Sequence, residues 1–281
     1  MKRRAHMKRA VIVFLVCGFL WFSLESLAQF KPEEITGNAK WEDFLKTAKI
    51  VSQEQMSFLE DTAQPWILTL EKDGVTQKAV WKDQSGIYHG FKESWKAEIS
   101  AYRLSHYLGL NMVPPTVERE WEGKEGACQL RVKYWKRFEE IGTEKLQAKG
   151  IQSTDFLRKQ YLQRAFDNLI FNINRHYGNI QILEDWRIIL VNHSRSFGIS
   201  KVSLTKLIYD EKNKRDKNLI MDELPRAFFE KLKSLDAATI KSAVAEYLTD
   251  EEIDFTLKRR DLVVSWIDKH IKEKGEAHVL Y

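Results

Sequence analysis

From Pro65 to about Trp135 the chain alternates apolar and polar residues. WILTLEKDGVTQKAVWK (66–82) does so on either side of Lys72-Asp73-Gly74, which predicts two strands joined by a tight hairpin turn. VPPTVEREWEGKEGACQLRVKYW (113–135) repeats the design around Glu122-Gly123-Lys124 and predicts a second hairpin. Between them, ESWKAEISAYRLSHYLGL (93–110) changes period. Trp95, Ile99, Tyr102 and the later leucines recur at helical spacing, Gly109 supplies a stop, and Pro114-Pro115 forbids continuation. In the second half, TDFLRKQYLQRAFDNLIF (154–171) places Leu157, Tyr161, Ala165 and Leu169 four apart, which predicts an amphipathic helix. The loop NINRHYGN (172–179) follows, then two short strands, IQIL and RIILVN, with a tight turn at Glu184-Asp185. LPRAFFEKLKSL, DAATIKSAVAEYL and the stretch after Thr249 read as helices, the last opening on the capping-box pattern TDEE. A small antiparallel sheet with one inserted helix, followed by a mainly helical unit, is an α+β arrangement with a cleft between two lobes.

The first 28 residues stand apart. Lys2, Arg3, Arg4, Lys8 and Arg9 form a basic start, Ala10 to Leu24 an apolar run of 15 residues, and Ser26-Leu27-Ala28 a small-residue cleavage site before Gln29. This is the signature of an export signal. The run falls short of the roughly 20 residues of a spanning helix, so it reads as a signal removed after export to the periplasm or the outside, with a membrane anchor the alternative if it stays uncleaved. Val16 before Cys17 fits a lipoprotein site poorly, and Met7 is an alternative start. Setting the segment aside removes five basic residues and one acidic one, and the formal charge falls from +5 to +1. A balanced chain lacks the basic footprint of a nucleic-acid binder, and the apolar and aromatic content excludes a disordered protein. Only Cys128 remains once Cys17 leaves, which excludes an intrachain disulfide, a zinc site and a thiol redox pair. Cys128 reads as a small, half-buried strand residue. The expected organisation is a signal at 1–28, a helical extension at 29–64, a sheet lobe at 65–135 and a helical lobe at 136–281, hinged near Tyr134 to Phe138.

Candidate chemistry gathers at four places. Lys82 ends the first hairpin, and Glu98 lies sixteen residues later on the inserted helix. In kinases a strand lysine grips nucleotide phosphates and a helix glutamate holds it, although in a chain that is 30% charged such a pair is ordinarily solvated surface. NRHYGN (174–179) follows the long helix, and VNHSRSF (191–197) ends the short hairpin. Taken in order, these elements resemble the atypical kinase superfamily of phosphatidylinositol kinases, HipA-like kinases and secreted Golgi-type kinases. Its catalytic loop reads D-R-H-x-x-N, and its metal segment often reads I-D-H-x-x-x-F. The C-terminal LTDEEIDFTLKRRDLVVSWIDKHIKEKGE is similar to the tail of bacterial members.

The resemblance implies a two-lobed protein-kinase-like fold, ATP with Mg or Mn as cofactor, and a set of site residues. Lys82 and Glu98 would hold the phosphates, Arg175 and His176 would brace the loop, and Asn179 would be the second metal ligand. Two positions depart from the pattern: Asn174 stands where the loop carries its first Asp, and Asn192 where the metal segment carries its Asp. An amide is too poor a base to take a hydroxyl proton, and Mg²⁺ favours carboxylate over neutral oxygen. The bland alternative is that Asn172, Asn174 and Asn192 tie turns to the backbone and that Arg175 and His176 brace a lobe without any ligand. Asp167 would then be a buried partner of Arg175 or of a backbone amide. Glu184 and Asp185 fall at a turn expected to point away from the nucleotide, and His193 reads as packing rather than as a ligand. The reading drawn from this is an exported pseudokinase that acts through a protein partner, with no role for nucleic acid. An active phosphotransferase or nucleotidyl transferase is the first alternative, and a plain adhesion or structural module the second.

Overall fold

A computed structural model describes residues 34, 36–56, 64–141, 154–200, 204–208 and 221–281. The signal-like segment at 1–28 lies outside the described residues. Both hairpins form as the alternation predicts. Strand β2 (Trp66–Lys72) turns at Asp73 and Gly74 into β3 (Val75–Lys82), and β6 (Thr116–Trp121) turns at Glu122 and Gly123 into β7 (Lys124–Leu130). All four turn residues have positive φ, from 51° to 75°, the twist that a two-residue hairpin loop requires. With the edge strand β1 (Lys49–Gln55), the sheet is antiparallel in the order β1-β2-β3-β7-β6, and Lys82 pairs with Ala127 across β3 and β7.

The edge strand β1 (Lys49–Gln55) corrects the helical extension expected at 29–64. Helix α1 (Asn38–Thr47) is present, but the chain then pairs along β2 from Lys49↔Glu71 to Gln55↔Trp66. The sheet lobe therefore begins before Pro65. Almost every residue of β1 is exposed, so the strand carries no burial-driven alternation to read. Arg119 on β6 donates to the Leu45 and Ala48 carbonyls at 2.5 and 2.6 Å, which satisfies open acceptors at the end of α1. Phe44 and Leu45 pack on Leu68, Leu70, Trp81 and Cys128 in the small core. Cys128 is fully buried rather than half-buried, and burial pushes its thiol up to about 12.

Between β3 and the inserted helix lies an additional hairpin, β4 (Ser85–Tyr88) with β5 (Phe91–Ser94). Helix α2 (Trp95–Tyr107) starts at Ser94, whose side chain accepts from the Lys96 N–H. After β7 the chain passes through β8 (Lys136–Arg137) to helix α3 (Thr154–Ile170), then to β9 (Ile180–Ile182) and β10 (Ile188–Leu190). Helix α3 is not the one-sided helix expected. Leu157 is exposed, Phe156 is buried, and every residue from Tyr161 to Ile170 is enclosed. Its polar side chains are tolerated there because each has an internal partner. Asn168, for example, accepts from the Ile208 N–H and from Arg259. Helices α4 (Arg226–Lys233), α5 (Ala237–Val244), α6 (Asp250–Lys274) and α7 (Glu276–Val279) complete the helical lobe. Among the described residues no helix is long and apolar enough to cross a membrane.

Candidate functional site

The end of β3 brings Lys82 to the cleft between the lobes, where α2 presents Glu98 from behind. Lys82 Nζ lies 2.6 Å from Glu98 Oε1 and 3.1 Å from Asn192 Oδ1. The Glu98 side chain is 3% exposed, and its Oε2 accepts the His193 N–H at 3.0 Å. Burial alone would raise the Glu98 carboxyl. The Lys82 ammonium and the His193 contacts outweigh it and hold the group well below the usual carboxylate range.

Arg175 leaves the loop inward. It grips Asp167 of α3 with Nε and Nη2 at 2.9 and 3.1 Å, and its Nη1 donates to the Asn179 and Val191 carbonyls at 2.9 and 2.7 Å. Gln163 also donates to Asp167. The remaining Nη2 hydrogen meets His193 Nε2 at 2.9 Å. An arginine only donates, so Nε2 carries the lone pair and Nδ1 the proton, which faces Glu98 Oε2 at 3.5 Å. Burial pushes the His193 imidazole below its ordinary value, and the Arg175 charge adds to this against the opposing pull of Glu98. His193 is thus a neutral, fully buried link, as its reading as packing expects.

The loop residues face outward. Asn174 lines the cleft, with its N–H on Asn172 Oδ1 at 3.1 Å and its carbonyl accepting from Asn179 Nδ2 at 3.0 Å. His176 is exposed, accepts the Gly178 N–H at 3.2 Å and lies 2.9 Å from the Asn179 amide. Asn192 adopts φ 63°, a left-handed conformation that asparagine tolerates better than most residues. Five of the seven nominated residues, Lys82, Asn174, His176, Asn179 and Asn192, therefore line one cleft. Glu98 and Arg175 stand behind it and hold its walls. Glu184 and Asp185 sit at an exposed turn, where Asp185 pairs with Arg187.

Two carboxylates among the lining residues escaped the sequence reading. Glu139, beside the hinge, lies against Gly178 of the loop: a Cβ at that glycine would stand 2.8 Å from its Oε2. Glu93 lies on β5 at 4% exposure, and its Oε1 accepts from Arg195 Nε and Nη2 at 2.8 and 2.7 Å. Nothing in the sequence links residues 93 and 195. The β4–β5 hairpin brings them together, and its only local signal is His89-Gly90, a turn with both φ values positive. Arg131, Val132, Tyr134 and Arg137 close the hinge side. Chemically, Lys82 brings an ammonium to the cleft, and Asn179 and Asn192 bring neutral amides. No group of three or more His, Cys, Asp or Glu converges as a metal cluster among the described residues.

No family model and no curated protein matches the chain. Solved structures do match its fold. The Golgi casein kinase, in a crystal structure with Mn/ADP bound, superposes with a TM-score of 0.61 at 16% identity, covering 91% of this chain and 80% of the other. The structure of hydra Fam20 with sugar gives 0.61 at 18% identity, covering 89% and 93%. The Helicobacter pylori proinflammatory kinase CtkA gives 0.51 at 12% identity, covering 82% and 98%. Together with the order of its elements, these likenesses show that the chain has a two-lobed, kinase-like fold.

Proposed function

We propose that this is an exported kinase-like protein that transfers no phosphate, holds nucleotide weakly or not at all, and acts by presenting a surface to a protein partner. One observation carries the reading: Asn174 and Asn192 both line the cleft, at the positions where the superfamily pattern has Asp. Neither amide replaces the missing group, since one is no base and the other brings no charge to a hard cation. The signal-like segment adds support, because ATP is scarce outside the cytoplasm.

A second reading is favoured by a different observation, the intact Lys82–Glu98 pair at 2.6 Å. In it the chain is an active ATP-dependent phosphotransferase or nucleotidyl transferase. Lys82 would hold the phosphates, while Asn179 and Asn192 would offer oxygens to the Mg or Mn that screens them. The Golgi casein kinase carries Mn and ADP, which makes Mn the metal to try. Thermal unfolding of the full chain with ATP or ADP, with Mg²⁺, with Mn²⁺ and without metal, separates the readings when paired with a turnover assay. The expected result is no turnover and, at millimolar nucleotide, a gain of less than about 0.5 kcal/mol in stability. A metal-dependent stabilisation lost in Lys82→Ala, with wild-type turnover that Asn174→Asp/Asn192→Asp then alters, would establish the enzyme instead.

A further inference from the structure

A second groove, of about 630 Å³, shares no lining residue with the cleft. Its walls are α1, α2 and α5, and its volume is that of a small-molecule site. Two opposite charges line it without pairing. On one side stands Arg103 of α2. Its guanidinium carries five N–H donors, yet among the described residues it has no carboxylate or hydrogen-bond acceptor and only stacks on the Tyr247 ring at 4.7 Å. On the other side stands Glu42 of α1. Its Oε1 accepts from the Tyr102 hydroxyl at 2.6 Å, and its Oε2 has no partner among the described residues. Burial and the Glu42 carboxylate push the Tyr102 hydroxyl up while the Arg103 charge pulls it down, so both charges bear on one phenol. The rest of the lining suits a ring. Tyr102 stacks on His106 with centroids 6.2 Å apart, Tyr107 adds a third aromatic side chain, and the short side chains of Ala238 and Ala243 on α5 leave room opposite them.

We infer that this groove binds a free α-amino acid with an aromatic side chain, its carboxylate on Arg103 and its ammonium on Glu42 Oε2. A guanidinium takes a carboxylate through two parallel hydrogen bonds, and a carboxylate accepts from an ammonium through a short charge-assisted one. A ligand with a single charge meets attraction at one wall and repulsion at the other, so the separated pair selects a zwitterion. The aromatic side chain packs over Tyr102 and Tyr107, where ring pairs add to the area they bury. The inference goes beyond the functional reading above and rests on none of the cleft residues.

L-phenylalanine titrated calorimetrically into the purified full chain tests it, beside two analogues that each lack one charge: 3-phenylpropionate, without the ammonium, and phenethylamine, without the carboxylate. Thermal unfolding gives a second readout, since a ligand of the folded state stabilises it. The wild type should bind one L-phenylalanine, and each analogue about 10- to 100-fold more weakly, the range for losing a hydrogen bond between charged groups. Glu42→Gln keeps an acceptor for Tyr102 and removes the charge. It should weaken L-phenylalanine by a similar factor and leave 3-phenylpropionate bound as well or better. Arg103→Met should do the reverse and spare phenethylamine. A wild type that takes up no L-phenylalanine at millimolar concentration, an analogue that binds as well as the amino acid, or a Glu42→Gln chain of undiminished affinity would each overturn the site. If Arg103→Met does not fold without its Tyr247 contact, Arg103→Lys, which keeps the charge and loses the fork, should still weaken L-phenylalanine, and undiminished affinity there overturns the site as well. Absence of nucleotide binding bears on the functional reading alone.

Discussion

Each N–H of Arg175 has a partner: Asp167 takes two, the Asn179 and Val191 carbonyls take one each, and His193 Nε2 takes the fifth. With its side chain 2% exposed and that of Asp167 fully buried, the residue is a brace for the loop and has no hydrogen left for a ligand. A lysine offers a point charge where the site uses a planar fork. Arg175→Met should cost about 3–5 kcal/mol, the usual price of leaving a buried carboxylate without its partner, and Arg175→Lys, which keeps the charge but loses the fork, should cost less. Urea unfolding measures this directly, and a cost under 1 kcal/mol would show that Asp167 finds other donors. Asn192 is harder to assign from its own geometry. Its left-handed backbone suits an asparagine in a turn, while its Oδ1 faces Lys82, so the structural and functional uses of the amide coincide in one residue.

At the scale of elements, what the sequence discloses is what each segment carries within itself. The hairpins at Asp73-Gly74 and Glu122-Gly123 announce their turns, and the start of α6 announces its cap: Thr249 Oγ1 accepts the Glu252 N–H, and Glu252 Oε2 accepts the Thr249 N–H at 2.9 Å. Contacts between segments are silent. Glu252 also receives Lys92 from the β4–β5 hairpin at 2.6 Å on its other oxygen, and no local pattern announces that pairing. The enclosure of α3 is silent for the same reason, because its polar residues look solvent-facing until Arg259 arrives from α6. The two roles of Glu252 separate by mutation. Thr249→Ala should cost about 1 kcal/mol through the cap. A double-mutant cycle of Lys92→Met with Glu252→Gln should yield only about 0.2–1 kcal/mol of coupling, since Lys92 is half exposed. A larger coupling would mean that the hairpin is locked to the helical lobe more firmly than this exposure implies.

In the whole molecule the lobes are joined by a buried polar chain that runs from Lys82 on the sheet through Glu98 on α2, His193 after β10 and Arg175 in the loop to Asp167 on α3. The order of the lobes was legible, because strand and helix periods differ. Their seating was not, because it rests on these single contacts. The chain also makes stability depend on pH. The Glu98 carboxyl is held below its ordinary value of 4.5, so at moderately acid pH the unfolded chain binds a proton that the folded one refuses. Its contribution is therefore complete above pH 4.5 and is lost as the pH falls below that value toward the folded one, at up to about 1.4 kcal/mol per pH unit. Glu98→Gln should start less stable at pH 7, with the Lys82 ammonium left beside a neutral amide, so the informative quantity is the slope. Urea unfolding between pH 7 and pH 3 should show a wild-type acid limb steeper than the variant's by about one proton. Equal slopes would mean that the link between the lobes does not depend on the Glu98 charge, and the acid sensitivity would then belong to carboxylates outside the cleft.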